Sequence, residues 1–340
     1  MKRRELGEAI DRAVAECMAR DDRVVVFGED VPLLRPALFA RFGADRVRAA
    51  PISESAFLGA AAGAAMAGLR PVVEVMLVDF VAVGLSAVLN EMAKVSAFSG
   101  GRWDCPLVVR ATCGGGYGDG GQHEQALWGL LGGIPGLKVA VPSNPADAAG
   151  LMRAAIEDPG PVIFLEHKLI SRLWLDSMGG AGRETVSFDV PPAGAEGPVP
   201  EPVEALPIGR AAVVRPGRDL TIATLAVGVH RSLEAAHLLA DDGLDAEVID
   251  LRGTRPLDRG AVVESVRRTG RLLAVDEDYR EAGLSGELAA VCAEAGLRFR
   301  YRRVTTEGVI PYARDREREV LPNVDRILDA ARSLSAKQPA

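Results

Sequence analysis

Short apolar runs rich in β-branched residues recur along this chain, and between successive runs there is room for one helix. In the first half the runs are Val24-Val25-Val26-Phe27, Pro71–Leu77, Pro106–Arg110, Leu137–Val141 and Pro161–Leu165. Helical spacing falls between them, over Leu6–Arg20, Glu54–Gly68, Asp79–Phe98, Gln122–Leu131 and Pro145–Glu157. Strands this apolar must be covered on both faces, and a parallel sheet flanked by helices provides that cover. From Val186 to Pro207 the alternation stops, and Pro191, Pro192, Pro198, Pro200, Pro202 and Pro207 mark an extended linker. It then resumes with strands at Leu220–Leu225, Ala246–Asp250, Arg271–Val275 and Arg298–Val304. Helices are expected at Arg231–Ala240, Asp258–Arg268, Leu284–Glu294 and Val324–Leu334. The expected class is therefore α/β, with two doubly wound domains at residues 1–185 and 208–340, joined by a linker at 186–207. A chain of 340 residues matches two domains at roughly 100–200 residues each.

Charge and composition narrow the function classes. The formal net charge is −7 and the pI is near 5.4, which argues against a nucleic-acid binder, since that needs a basic face. Cys17, Cys105, Cys113 and Cys292 form no Cys-x-x-Cys pair, so neither a zinc ribbon nor a disulfide scaffold is suggested. The opening Met1-Lys2-Arg3-Arg4-Glu5 runs straight into a helical pattern with no apolar leader. The longest nearly uncharged apolar stretch, Ala56–Leu69, is too short to span a bilayer. A cytoplasmic protein that binds no membrane is the expectation.

In a doubly wound sheet, ligands sit beyond the carboxyl ends of the strands. There the first domain carries Glu54, Asp79, Phe80 and a loop from Gly114 to Gly121 that leads into His123. The second domain's loops are plainer, which places chemistry in the first domain and assembly in the second. Each feature also has a plain structural explanation. Ser53 is placed to cap the helix that Glu54 begins, with Glu54 favoured by the helix dipole. The glycine-rich loop lacks the Lys-Ser/Thr of a nucleotide-binding loop and the spacing of a dinucleotide fingerprint. A lone histidine at a helix start is more often structural than catalytic.

Together these segments resemble the β subunit of the 2-oxo acid dehydrogenase decarboxylase component, a branch of the transketolase-like thiamine enzymes. The resemblance runs from about Glu5 to Leu334. It is carried by Pro51-Ile52-Ser53-Glu54-Ser55, Gly68–Glu74, Asp79-Phe80 with Asn90 and Ala93-Lys94, and Gly121-Gln122-His123. Further matches are Ile134–Val139, Asp147 with Gly150-Leu151, Phe164-Leu165-Glu166, and Val248–Arg252 with Arg255–Asp258.

The resemblance implies thiamine diphosphate, held between this chain and an α subunit that binds the diphosphate through Mg2+. It implies that Glu54 hydrogen-bonds the aminopyrimidine ring nitrogen, that Phe80 and Met76 pack against that ring, and that His123 faces substrate or the lipoyl group. It implies a potassium ion on backbone carbonyls, at positions matching Leu107, Ala155, Ile156, Asp158 and Gly160. The implied partners are the α subunit, a second β subunit and the lipoyl acyltransferase. Pyruvate, a branched-chain 2-oxo acid and acetoin all remain open as substrate. A self-sufficient transketolase-type enzyme is the alternative, and a catalytically silent scaffold is a third reading.

Three departures from the family pattern stand out. Glu124 occupies a position usually held by Ser, Ser86-Ala87 stand in place of Asp-Gln, and the Cys113–Gly121 loop has extra glycine. A carboxylate at 124 is expected either to act on His123, disfavouring an anionic substrate, or to point into solvent. Gly118-Asp119-Gly120 with Asn144 imitates the Mg2+-diphosphate motif of thiamine enzymes, but it falls where the β subunit has its His-bearing loop.

Overall fold

The computed structural model describes residues 1–172 and 188–335. The end of the expected first domain, 173–185, and the first two linker residues lie outside the described residues. The strands in chain order are β1 (Lys2–Glu5), β2 (Val24–Glu29), β3 (Val47–Ala50), β4 (Arg70–Leu77), β5 (Val108–Cys113), β6 (Lys138–Ala140), β7 (Val162–His167), β8 (Glu196–Val199), β9 (Ala212–Arg215), β10 (Leu220–Thr224), β11 (Ala246–Asp250), β12 (Gly253–Arg255), β13 (Arg271–Tyr279) and β14 (Arg300–Thr306). The principal helices are α1 (Leu6–Arg20), α2 (Glu54–Met66), α3 (Trp128–Gly132), α4 (Pro145–Glu157), α5 (Val227–Asp241), α6 (Arg259–Thr269), α7 (Leu284–Glu294), α8 (Arg314–Val320) and α9 (Val324–Ser335).

The first sheet has the order β12-β6-β7-β5-β4-β2-β3. All its neighbours are parallel except β12, which pairs antiparallel with β6. Strands β5 and β7 are buried at every residue, which explains why their sequences are continuous apolar runs instead of alternating ones. After β2 the chain builds β3 on one side and then crosses to β4 on the other. The carboxyl ends of β2 and β4 thus form the topological switch point where such sheets bind ligands. Helix α1 buries Leu6, Ile10, Ala13, Val14, Cys17 and Met18, a single stripe at helical spacing, in the same core cluster as Ala148, Leu151, Met152 and Ala155 of α4. Helix α4 starts cleanly because Pro145 follows Asn144, whose side chain accepts from Asp147 N.

The second sheet, β14-β13-β10-β11-β9, is parallel apart from β9. The two domains share one apolar core. Val109, Val139 and Ile163 of the first sheet fall in the same buried cluster as Ala223, Ile249, Leu272 and Ala274 of the second. Strand β12, from the second half of the sequence, completes the edge of the first sheet. Part of the proline-rich linker is also structured, because β8 pairs antiparallel with β1. Two motif pieces meet across the domain seam, where Arg252 Nε and Nη2 donate to Asp147 at 2.8 Å each.

Two expected helices are corrected. Asp79–Phe98 is a 3-10 turn at Val78–Ala82, a π-helical turn at Ala87–Met92 and a short helix at Val95–Phe98. Gly84 lies so close to the start of α2 that a Cβ there would meet the Glu54 carbonyl at 3.0 Å and the Leu58 side chain at 2.5 Å, which sets this path. In the second case, only Trp128–Gly132 of Gln122–Leu131 is helical. Residues 121–123 form a turn after Gly120 (φ 71°), and 124–127 are irregular up to the left-handed Leu127 (φ 50°).

Candidate active site

Glu54 is the first residue of α2 and is 7% exposed. Ser53, with φ −165° and ψ 74°, makes no side-chain cap, so the capping role expected of it is not realised. Among the described residues, no protein group hydrogen-bonds the Glu54 carboxylate. The residue is largely buried, but its carboxylate oxygens reach the surface, where a group outside the chain can pair with them. Neighbouring Ser55 is fixed instead, its Oγ donating to the Val83 carbonyl at 2.7 Å. This bond and the Gly84 approach tie the 3-10 turn bearing Phe80 to the start of α2.

Met76 lies at the end of β4, half-buried, and its carbonyl accepts the Thr112 hydroxyl. Phe80 is also half-buried and meets His123 edge to face. His123 starts no helix. Its amide donates to the Gly120 carbonyl at 3.0 Å, and its Nδ1 lies 3.2 Å from the Asp119 carbonyl. A carbonyl only accepts, so Nδ1 carries the proton and Nε2 is left as the acceptor nitrogen. Gln125 Nε2 donates to Asp79 Oδ1 at 2.6 Å, which joins the 3-10 turn to the His123 turn. Burial raises the Asp79 pKa.

The glycine-rich loop is held mainly by the second domain. Gly115 N donates to Glu277 Oε1 at 2.8 Å, and Gly116 N to Glu317 Oε1 at 2.8 Å. Gly121 N donates to the Ile310 carbonyl at 2.9 Å, and the Tyr312 hydroxyl to Gln122 Oε1 at 3.0 Å. Glu277 also accepts from His167 Nε2 at 2.8 Å and from Arg231 at 2.9 Å. Burial opposes ionisation of Glu277, but His167 and Arg231 beside it lower its pKa to about 2. The second domain is therefore more than an assembly module, because it shapes the loop that carries His123. Sequence reasoning missed Glu277, Glu317 and Lys168. Glu317 lies in Arg314-Asp315-Arg316-Glu317-Arg318, which looks like a solvated charge run until tertiary structure buries its one inward residue.

Two family models match the chain: the transketolase pyrimidine binding domain over residues 2–172 and the transketolase C-terminal domain over residues 209–327. The 2-oxoisovalerate dehydrogenase subunit beta of Bacillus subtilis (strain 168) is 37% identical over 339 residues, covering 96% of this chain and 97% of that one. The chain belongs to the β-subunit family of the 2-oxo acid dehydrogenase E1 components. Within that family it is also similar to an acetoin:2,6-dichlorophenolindophenol oxidoreductase subunit beta of Cupriavidus necator, at 39% identity over 302 residues, 84% of this chain and 82% of that one. The pyruvate dehydrogenase E1 component subunit beta of Rhizobium meliloti (strain 1021) is 36% identical over 340 residues, 97% of this chain and 69% of that one. A split-gene transketolase, described as an inactive beta4 tetramer, superposes with a TM-score of 0.77 at 23% identity, covering 97% of both chains, a likeness of fold.

Two other residues that carry the E1 β resemblance hold the fold together. Glu74 and Glu166 sit in a buried network with Arg35 and Arg110. Arg35 Nη2 reaches Glu74 at 2.9 Å, Arg110 Nη2 reaches Glu166 at 2.8 Å, and Arg110 Nη1 reaches Asp11 at 2.7 Å. The arginines hold both glutamates below the ordinary carboxylate pKa against the opposing effect of burial. At the potassium positions, Arg70 Nη1 donates to the Ile156 and Asp158 carbonyls at 2.8 and 3.1 Å. The Leu107 carbonyl accepts from Val162 N at 3.0 Å, and Gly160 N donates to Asp158 Oδ1 at 2.8 Å. Asn144 caps α4 instead of joining Gly118-Asp119-Gly120 in a metal site, and no group of three or more His, Cys, Asp or Glu with metal-binding geometry occurs among the described residues. Glu124 does not point into solvent; it is fully buried.

Proposed function

We propose that this chain is the β subunit of a thiamine-diphosphate-dependent enzyme that decarboxylates a 2-oxo acid oxidatively and transfers the acyl group to a lipoyl group. The observation that carries this reading is Glu54, a largely buried residue whose carboxylate has no protein partner among the described residues, at the start of α2 and at the switch point of the sheet. The residues present fit the cofactor. Glu54 offers one proton-sharing oxygen to a pyrimidine nitrogen, Phe80 an aromatic wall, and Met76 a polarisable contact. When bound, thiamine diphosphate supplies the carbon nucleophile and the electron sink for decarboxylation. Glu54 holds a proton at the pyrimidine nitrogen. His123, with Nδ1 committed to Asp119, presents Nε2 to accept or pass a proton on the substrate side.

The partner is an α subunit that holds Mg2+ and the diphosphate, with a second β subunit and a lipoyl acyltransferase completing the assembly. The surface beside Glu54 supports such a partner. Ala56, Ala60, Gly63 and Ala67 of the α2 region are exposed, and Ile52, Val83, Phe98 and Trp103 are exposed around them. A groove of about 470 Å3 beside Met66, Phe98 and Trp103 adds concave apolar surface. The backbone carbonyls of Leu107, Ala155, Ile156, Asp158 and Gly160 would hold a potassium ion at the end of α4 if Arg70, which now donates to the Ile156 and Asp158 carbonyls, moved aside. The deciding test is co-purification with an α-type subunit and assay with pyruvate, branched-chain 2-oxo acids and acetoin. Turnover is expected from the assembly and none from this chain alone; thiamine-dependent turnover by the isolated chain would refute the reading.

A further inference from the structure

Behind His123 lies a cluster of ionisable groups that the proposed chemistry does not use. Glu124, Lys168 and Glu317 are all fully buried. Glu317 comes from α8 of the second domain, Glu124 directly follows His123, and Lys168 follows β7.

The donors around Glu317 can be counted. Its Oε1 accepts from Gly116 N at 2.8 Å and from Gly118 N at 3.4 Å, and its Oε2 accepts from Arg314 Nη1 at 2.9 Å. Three N–H groups define an ionised carboxylate with room for one more donor. Glu124 is the reverse case. Its Oε1 accepts from Tyr117 N at 2.7 Å, but its Oε2 is buried and meets no N–H or hydroxyl donor. The Tyr117 amide that Glu124 binds lies between the Gly116 and Gly118 amides that Glu317 binds, so the two carboxyl groups are neighbours, with Lys168 beside them. Two carboxylates cannot hydrogen-bond each other, whereas an acid and a carboxylate can.

We propose that Glu124 is held as a protonated acid that donates to the Glu317 carboxylate, and that this shared proton ties the His123 turn to the second domain. Both residues are positioning residues. Glu124 fixes the peptide next to His123, and Lys168 Nζ fixes the His123 carbonyl itself with a bond of 2.6 Å. Lys168 lies over the Tyr117 ring, 4.9 Å from its centroid, and the Tyr117 hydroxyl donates to the Lys168 carbonyl at 3.1 Å. Asp79 on the 3-10 turn, Cys113 at the end of β5 and Arg314 on α8 also lie around the cluster, with Asp119 in the glycine-rich loop and Glu277 bound to that loop. Burial and the neighbouring Glu317 push the Glu124 pKa up to about 9, consistent with this assignment. The importance of His123 rests on the proposed function, but the shared proton does not.

A folded-state pKa above the unfolded one gives stability that is complete below about pH 4.5 and is lost as pH rises through the folded value. Glu124→Gln keeps a donor toward Glu317 and an acceptor toward Tyr117 at every pH. The full chain and this variant should therefore be melted from about pH 5 to about pH 10. The variant's melting temperature relative to the parent is expected to rise by at least about 3 °C across this range and to level off near its upper end. In chain labelled at histidine, the His123 ring resonances of the parent should show a further step near the upper end of this range, where Glu124 loses its proton, and those of Glu124→Gln should lack that step. Glu317→Gln, which turns an amide N–H toward existing donors, should lower the melting temperature at every pH. A difference between Glu124→Gln and parent that is constant with pH overturns the shared proton. His123 resonances that move identically in the two proteins near the upper end of the range overturn the positioning role. Neither readout requires turnover, so failure of the enzymatic assignment would be seen separately, in the assay with the α subunit.

Discussion

Phe80 and His123 meet edge to face, with ring centroids 5.8 Å apart and planes at 83°. One residue comes from the turn after β4 and the other from the loop after β5, so the contact joins the two segments that wall the site. The shared contact allows their roles to be separated by mutation. His123→Ala should reduce turnover or acyl transfer more than cofactor affinity, by roughly 10²–10⁴ for a positioned proton carrier. Phe80→Ala should chiefly weaken cofactor binding. Titration of thiamine diphosphate into each assembled variant checks this, and equal loss of affinity in both would contradict the assignment.

Glu54→Gln is nearly isosteric, and no protein hydrogen bond to the carboxylate is lost. The melting temperature should stay close to that of the parent, while activity in the α/β assembly falls by roughly 10²–10⁴. Near-parental turnover would leave Glu54 without a catalytic role.

Gly114 has φ +90°, and a Cβ there would lie 2.1 Å from His167 Nε2. Gly114→Ala should destabilise the chain by about 2 kcal/mol or more, through strain and displacement of the His167–Glu277 hydrogen bond. Chemical denaturation measures the loss. A change under about 0.5 kcal/mol would show that the loop relaxes freely.

Glu277 is depressed to about 2, so the sign is opposite to that of Glu124. Its contribution is present above the unfolded value of about 4.3 and is lost as pH falls toward the folded one. Glu277→Gln should lower stability near neutrality, where it leaves Gly115, His167 and Arg231 without their carboxylate, and the deficit should shrink in acid. Melting curves at about pH 7 and about pH 3 test this; an equal deficit at both would assign the effect to packing alone.

With the surface around the start of α2 given to the α subunit, this chain is expected to pair with a second β subunit and to add two α subunits. Such an obligate interface is expected to bury more than about 2,000 Å2. Sedimentation should show a dimer at micromolar concentration and a heterotetramer with the partner. A monomer unchanged by the α subunit would count against both.

The sequence by itself determined the class of the fold and most of its strands, because a strand buried on both faces must be written as an apolar run, and β5 and β7 are. It also singled out Glu54, Phe80 and His123, since ordered motifs survive in one dimension. It misjudged the helices around them. Helical spacing in Asp79–Phe98 and Gln122–Leu131 is a local preference, and it yielded to the close approach of Gly84 to Glu54 and to the left-handed Leu127. Only the tertiary structure decided that the second domain holds the glycine-rich loop, because Glu277 and Glu317 lie far along the chain from the amides they bind. The same holds for Glu124. Beside His123 in sequence it looked like a charge that acts on the histidine or faces water, but burial against Glu317 turns it into a hydrogen-bond donor, and burial is set by what packs on a residue from elsewhere in the chain.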